Sequence, residues 1–120
     1  MNKENTEALI KRFPNLYQGC GLSPKESNMC FGFECGDGWF DLIEELSTKL
    51  EPMGVIATQV KEKYGGLRFY VASATDEAWD LIDEAEEKSE AICETCGDPG
   101  RLRTNQGWDK TLCDACGAVV

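Results

Sequence analysis

The 120-residue sequence contains no histidine, although it has seven cysteines. Histidine is the commonest general base in enzymes and the usual partner of a serine or cysteine nucleophile. A Gly-x-x-x-x-Gly-Lys phosphate loop is also missing from the sequence. These absences predict a protein that is not an enzyme.

Long apolar runs are missing too, since no stretch approaches the roughly 20 apolar residues that a membrane span requires. Residues 1–10 are polar and acidic, and they lack the basic-then-apolar order of a signal peptide. Cysteines without an export signal indicate a reducing compartment, where they serve as thiols or metal ligands. We therefore expect a cytoplasmic protein with no membrane association.

Basic residues are scarce: 12 Lys and Arg stand against 22 Asp and Glu, which gives a net charge of −10. A surface of this charge disfavours nucleic acid as a partner, because it repels the phosphate backbone. Solubility is one explanation of the acidity. The other is an acidic face that imitates nucleic acid or meets a basic partner.

Hydrophobic periodicity predicts one small α+β domain with three helices, a β-hairpin and a C-terminal zinc ribbon. Thr6 is the predicted cap of the first helix, and Asp37 that of the second, whose apolar residues recur every three or four positions. The Gly-Gly pair after Tyr64 predicts the hairpin turn. Cys30 to Cys35 alternates like a short strand. The predicted bounds are helices at about 6–13, 38–51 and 75–92, and a hairpin at about 55–72.

Two Cys-x-x-Cys pairs separated by 16 residues match the spacing of a zinc ribbon. We predict that Cys93, Cys96, Cys113 and Cys116 bind one structural Zn²⁺, since four thiolates leave no open position for catalysis. A thioredoxin-type redox pair would use a single Cys-x-x-Cys, and nothing else in the sequence indicates an Fe–S protein. The predicted division is an α+β body, residues 1–92, and a zinc ribbon, residues 93–120, that packs on the body and does not fold independently.

The remaining cysteines, Cys20, Cys30 and Cys35, lack the spacing of a metal knuckle. Buried thiols are the favoured interpretation. A second metal site completed by a carboxylate is the alternative.

Exposed aromatic and basic residues form two candidate clusters for an anionic ligand, one on the hairpin and one on the ribbon. If the two clusters line one cleft, the ligand-binding residues are Tyr64, Arg68, Tyr70, Arg101, Arg103 and Trp108. Alternatively, the arginines pair with acidic residues of the third helix, and the aromatic residues cap the core. That helix carries the candidate partner-binding residues Asp80, Asp83, Glu84 and Glu87.

Three blocks of the sequence resemble those of a family of small phage- and prophage-encoded zinc-ribbon proteins. The blocks are Met29–Phe40, Val60–Tyr70, and Cys93–Gly100 continuing through Gly107 and Trp108 to Cys113. Members of that family often carry histidine at the position of Cys116, and either residue ligates zinc. The resemblance implies a phage or prophage origin, and with it a location in the host cytoplasm, and brings no activity with it.

Three functions agree with these features. The first is a non-enzymatic phage-type accessory protein that binds and inhibits a host protein, such as a defence or nucleic-acid-handling factor. The second is a sponge for a small anionic ligand such as a signalling nucleotide. The third is a nucleic-acid-binding zinc ribbon, which the net charge disfavours.

Overall fold

The structure is a computed structural model that describes residues 1–104 and 109–118. It confirms the predicted α+β class. The helices and strands follow one another as α1 (Lys3–Arg12), β1 (Phe33–Glu34), α2 (Phe40–Leu50), β2 (Ala57–Lys63), β3 (Gly66–Val71), α3 (Asp76–Ser89), β4 (Arg101–Arg103), β5 (Lys110–Leu112) and α4 (Asp114–Gly117). Short 3₁₀ turns occupy Gln18–Gly21, Asn28–Phe31, Asp37–Trp39 and Glu51–Met53.

The body contains a three-stranded sheet in the order β1-β2-β3. Strands β2 and β3 form the predicted antiparallel hairpin, whose last pair is Lys63 and Gly66. Strand β1 runs parallel to β2 and pairs Phe33 with Val60. In the ribbon, β4 and β5 form a separate antiparallel pair.

The body core lies between the inner face of this sheet and helices α1, α2 and α3. Helix α2 and the turn before it supply the residues that the periodicity predicts, and all five are buried: Trp39, Leu42, Ile43, Leu46 and Leu50. The Tyr17 hydroxyl lies 2.5 Å from Ser47 Oγ inside this core. Burial therefore raises the pKa of Tyr17 far above its usual range.

The edge of β3 is covered by side chains of α3. Ser89 Oγ accepts a hydrogen bond from Leu67 N at 2.9 Å, and Glu86 Oε2 accepts one from Phe69 N at 2.9 Å. These bonds satisfy backbone donors that an edge strand would otherwise expose. The last turn of α3 is thus fixed to the hairpin.

Several predicted boundaries differ from the structure because side-chain caps lie elsewhere. Helix α1 begins at Lys3 because Asn2 Oδ1 accepts a hydrogen bond from Asn5 N, so Thr6 lies inside the helix. Asp37 begins a 3₁₀ turn instead of capping α2. Thr75 caps α3, and that helix ends at Ser89 rather than near residue 92.

The predicted strand at Cys30 to Cys35 is mostly absent. Cys30 lies in the 3₁₀ turn Asn28–Phe31, and only Phe33–Glu34 forms a strand. Gly32, with a φ of +71°, separates the two segments and interrupts the extended conformation. Besides the three predicted helices, the described residues include the one-turn helix α4 in the ribbon.

The ribbon contacts the body where Gly36 and Gly38 meet Glu94. Gly38 N donates to Glu94 O at 2.7 Å, and Gly36 N donates to Glu94 Oε2 at 2.9 Å. A Cβ atom on Gly38 would lie 2.0 Å from Cys93 O, far inside van der Waals contact. The approach of the two backbones therefore requires glycine.

We expect Gly38→Ala to lower the free energy of unfolding by about 2 kcal/mol or more, because the added methyl group pushes the ribbon off the body. Gly21→Ala is the matched control, since a Cβ there meets no atom within 4 Å. The control is expected to be neutral or stabilising by up to about 1 kcal/mol. Urea unfolding of both variants measures the difference, and equal stabilities would contradict this account of the contact.

Candidate metal centre

The four predicted ligands come together in the ribbon. The sulfur atoms of Cys93, Cys96, Cys113 and Cys116 all lie within 4.8 Å of one another. Cys96 Sγ and Cys113 Sγ are 3.6 Å apart. Four sulfurs bound tetrahedrally at about 2.3 Å from Zn²⁺ stand about 3.8 Å apart, so the observed spacing suits a shared metal ion.

The first Cys-x-x-Cys turn is shaped by Gly97. Its φ is +86°, and its N–H donates to Cys93 O at 2.9 Å. Cys93 N donates in turn to Asp98 O at 2.8 Å. A left-handed residue at this position allows the chain to turn back directly after Cys96.

The second pair lies at the start of α4. Cys113 precedes the helix, and its sulfur accepts a hydrogen bond from Cys116 N at 3.4 Å. Gly117 is helical and needs no positive φ. A Cβ there would lie 2.7 Å from Arg103 Cζ, so this glycine makes room for the arginine.

The thiols have unequal affinities for protons. Burial opposes ionisation of Cys93, but N–H groups of Cys113, Cys96 and Thr95 point at its sulfur and lower the pKa to about 6. Hydrogen bonding with the Cys113 sulfur raises the pKa of Cys116 to about 12. Four thiolates this close repel one another, and a divalent cation compensates their charge. The donor set thus fits a metal ion such as zinc, held in a closed and therefore structural site.

The other three cysteines do not form a second site. Cys35 is buried, and burial raises its pKa to about 12, whereas Cys20 and Cys30 are half-buried. Within residues 1–104 and 109–118, the four ribbon cysteines are the only group of three or more potential ligands close enough to share a metal. The alternative of a second metal site therefore finds no support.

The arginines of the ribbon pair within the ribbon. Arg103 Nη2 lies 2.8 Å from Asp114 Oδ1, and Arg101 Nη2 lies 3.9 Å from the same oxygen. Arg68 instead donates to the adjacent Leu67 O at 3.0 Å. The expected pairing of the ribbon arginines with α3 is thus not found.

The predicted cleft between hairpin and ribbon stays a prediction. In the described part of the chain, Arg68 donates to Leu67 O, while Arg101 and Arg103 lie near Asp114. Tyr64 and Tyr70 are exposed rather than capping the core. Trp108 lies outside the described residues.

The four predicted partner-binding residues are exposed together on α3. Asp80, Asp83 and Glu87 form no ion pair among the residues that the structure describes, and Glu84 pairs with Lys88 at 2.9 Å. The opposite side of the helix is buried through Ala78, Ile82, Ala85 and Ser89. The exposed carboxylates therefore all point to solvent from one rigid surface.

Comparisons with protein-family models, curated proteins and solved structures found no match. Among the described residues, no helix is long and apolar enough to cross a membrane.

Sequence reasoning missed the residues that connect the metal cluster to the body. Lys110 Nζ lies 3.1 Å from Glu62 Oε1 and 3.5 Å from Glu94 Oε1. Thr111 Oγ1 donates to Gly65 O at 2.6 Å. No local spacing links these positions, so only the folded arrangement reveals them.

We expect purified protein to contain about one zinc ion per chain, and Cys113→Ser to reduce this to below about 0.1 because a ligand is lost. The same variant should lower the Tm by about 4 °C or more. Cys20→Ser, at a half-buried thiol outside the cluster, is the control and should keep its metal. Metal analysis and thermal unfolding provide the readouts; a folded wild-type protein with less than about half an ion per chain would refute the site.

Proposed function

We propose that this protein is a non-enzymatic, phage-type accessory protein that binds and thereby inhibits a host protein, with a structural zinc ion holding its C-terminal end. The observation that carries the proposal is the acidic face of α3. We define this face by its six exposed carboxylates, Asp76, Glu77, Asp80, Asp83, Glu84 and Glu87.

The spacing of the acidic face supports a partner that normally binds nucleic acid. Helix α3 has 14 residues and is therefore about 21 Å long. Six carboxylates over that length give one charge per roughly 3.5 Å, close to the roughly 3.4 Å between phosphates along the axis of one DNA strand. A basic groove shaped for a phosphate backbone is complementary to such a surface.

Rigidity supports the same proposal, because an ordered surface loses little entropy on binding. Thr75 caps the helix by accepting a hydrogen bond from Ala78 N at 3.2 Å. Ser89 and Glu86 bind it to β3, and its apolar side is buried. The carboxylates are thus displayed in a fixed array before any partner arrives.

The resemblance of three sequence blocks to phage and prophage proteins agrees with this function. A nucleic-acid-handling or defence protein is the class of host factor that an acidic surface fits. The zinc in this proposal stabilises the ribbon and takes no part in chemistry.

The two alternative functions find less support in the geometry. A sponge for an anionic ligand requires free arginines, but Arg101 and Arg103 both face the Asp114 carboxylate. A nucleic-acid-binding ribbon must overcome the net charge of −10. Neither alternative has an observation that favours it over inhibition of a host protein.

Reversing four charges of the acidic face, in the variant D80K/D83K/E84K/E87K, should weaken capture of the host partner at least about tenfold, since complementary charge is replaced by repulsion. The experiment is an affinity capture from host extract with quantitative mass spectrometry. Duplex DNA added as a competitor should release the wild-type partner.

The matched control is E4K/E7K/E26K/D41K, which makes the same change in net charge at exposed positions outside α3. This control should retain capture. Undiminished capture by the α3 variant, or a partner that DNA fails to displace, would refute the proposed surface.

A further inference from the structure

The ribbon and the hairpin are joined by a group of polar side chains that we call the latch: Glu62, Glu94, Lys110 and Thr111. The Lys110 ammonium lies between the carboxylates of Glu62 and Glu94, which are mostly buried, with side chains 17% and 10% exposed. Ion pairs shielded in this way are stronger than those on the open surface. The latch therefore fixes the position of the ribbon on the hairpin.

The metal ligands lie directly beside the latch in the sequence. Glu94 follows Cys93, and Lys110 to Leu112 precede Cys113. Glu94 N also donates to Thr111 O at 3.0 Å, which connects the two arms of the ribbon. A metal ion bound to Cys93 and Cys113 would hold Glu94 and Lys110 in fixed positions relative to each other.

The other end of the latch holds the hairpin tip, which consists of Tyr64 and Gly65. Gly65 N donates to Glu62 Oε2 at 2.7 Å, and Gly65 O accepts from Thr111 Oγ1 at 2.6 Å. The Leu102 side chain packs on Gly65, where a Cβ would lie 2.4 Å from Leu102 Cδ1. The tip is thus held on one side by Thr111 and Leu102 of the ribbon, and on the other by Glu62 of β2, whose carboxylate pairs with Lys110 of the ribbon.

Tyr64 is the only non-glycine residue with a positive φ in the described part of the chain, at +53°. Asparagine, aspartate or glycine normally occupies this position of a tight hairpin turn, because a bulky side chain there is strained. The Tyr64 side chain is 70% exposed, so burial does not compensate for the strain. Such strain persists only where surrounding contacts enforce it.

Among the described residues, the ribbon buries few apolar side chains besides its cysteines. Its hydrophobic cluster there consists of Cys93, Leu112 and Cys113, packed with Cys116, and is separate from the large core of the body. Removing a metal ion should therefore loosen the ribbon while the body stays folded.

We propose that occupancy of the metal site controls the conformation of the hairpin tip through the latch. With the ion bound, the latch holds Tyr64 in its strained conformation with its side chain exposed. Without the ion, the ribbon loosens, Glu62 and Thr111 release Gly65, and Tyr64 relaxes toward negative φ. This inference rests on the metal site and is independent of the acidic face.

Residue-resolved hydrogen exchange of the metal-loaded and chelator-treated full-length protein tests the switch. We expect the Gly65 amide to exchange at least about tenfold faster after chelation, while the amides of Ile43 and Leu46 in α2 change less than about twofold. An unchanged Gly65 amide would overturn the proposal. An equal acceleration in α2 would also overturn it, because the ion would then support the whole fold.

Latch variants separate the switch from metal binding itself. Thr111→Val removes the hydroxyl that binds Gly65 O at nearly constant volume, and Lys110→Met removes the charge between Glu62 and Glu94. Each should keep about one metal ion per chain and yet accelerate Gly65 exchange at least about fivefold in the loaded protein. Thr48→Val and Lys49→Met, on the exposed side of α2, are the matched controls.

If both latch variants bind metal and exchange Gly65 at the wild-type rate, the latch does not control the tip. If the protein binds no metal, metal analysis shows this directly. The absence of a metal site is therefore distinguishable from failure of the switch. The hydrogen-exchange result does not depend on whether the acidic-face variant captures a partner, because α3 is intact in every latch variant.

Discussion

The contact between Glu94 and the two glycines Gly36 and Gly38 is the constraint on which the arrangement of the molecule depends. The backbone of Gly38 and that of Cys93 approach so closely that any side chain would separate them. Trp39 extends the contact, since its indole N–H donates to Ile92 O at 2.9 Å from inside the body core. The cysteine cluster is therefore anchored to the body at its first ligand, and the second arm of the ribbon follows from that anchor.

The scarcity of basic residues explains how charge is distributed over the surface of the protein. Three of the 12 basic residues connect parts of the fold: Lys110 joins the ribbon to the hairpin, Arg103 contacts Asp114 of α4, and Arg12 on α1 contacts Glu44 on α2. Helix α3 has one lysine, which Glu84 binds. Lys49 of α2 and Arg68 of β3 lie near Glu84 and Glu86, but in the described residues Asp80, Asp83 and Glu87 form no ion pair, so α3 keeps an excess of negative charge. An acidic face is the physical consequence of placing the bases elsewhere.

Patterns of residues close together in the sequence predict the features that depend on neighbouring residues. Apolar spacing identified the buried side of α2, the Gly-Gly pair identified the hairpin, and paired cysteines identified the cluster. The parallel pairing of β1 with β2 and the latch join residues far apart in sequence, and periodicity has no information on such contacts. The predicted cap of α1 is wrong because Asn2 and Thr6 are both good capping residues, and only the fold selects between them.

The metal cluster and the acidic face lie in different parts of the chain, but continuous contacts connect them. The cluster positions Thr111 against Gly65, Gly65 begins the return into β3, and β3 binds Glu86 and Ser89 of α3 through its edge amides. Glu86 is held at the boundary of the acidic face, and burial raises its pKa. The hairpin is thus held at its tip by the ribbon and at the edge of β3 by α3, so both contacts bear on the same strand.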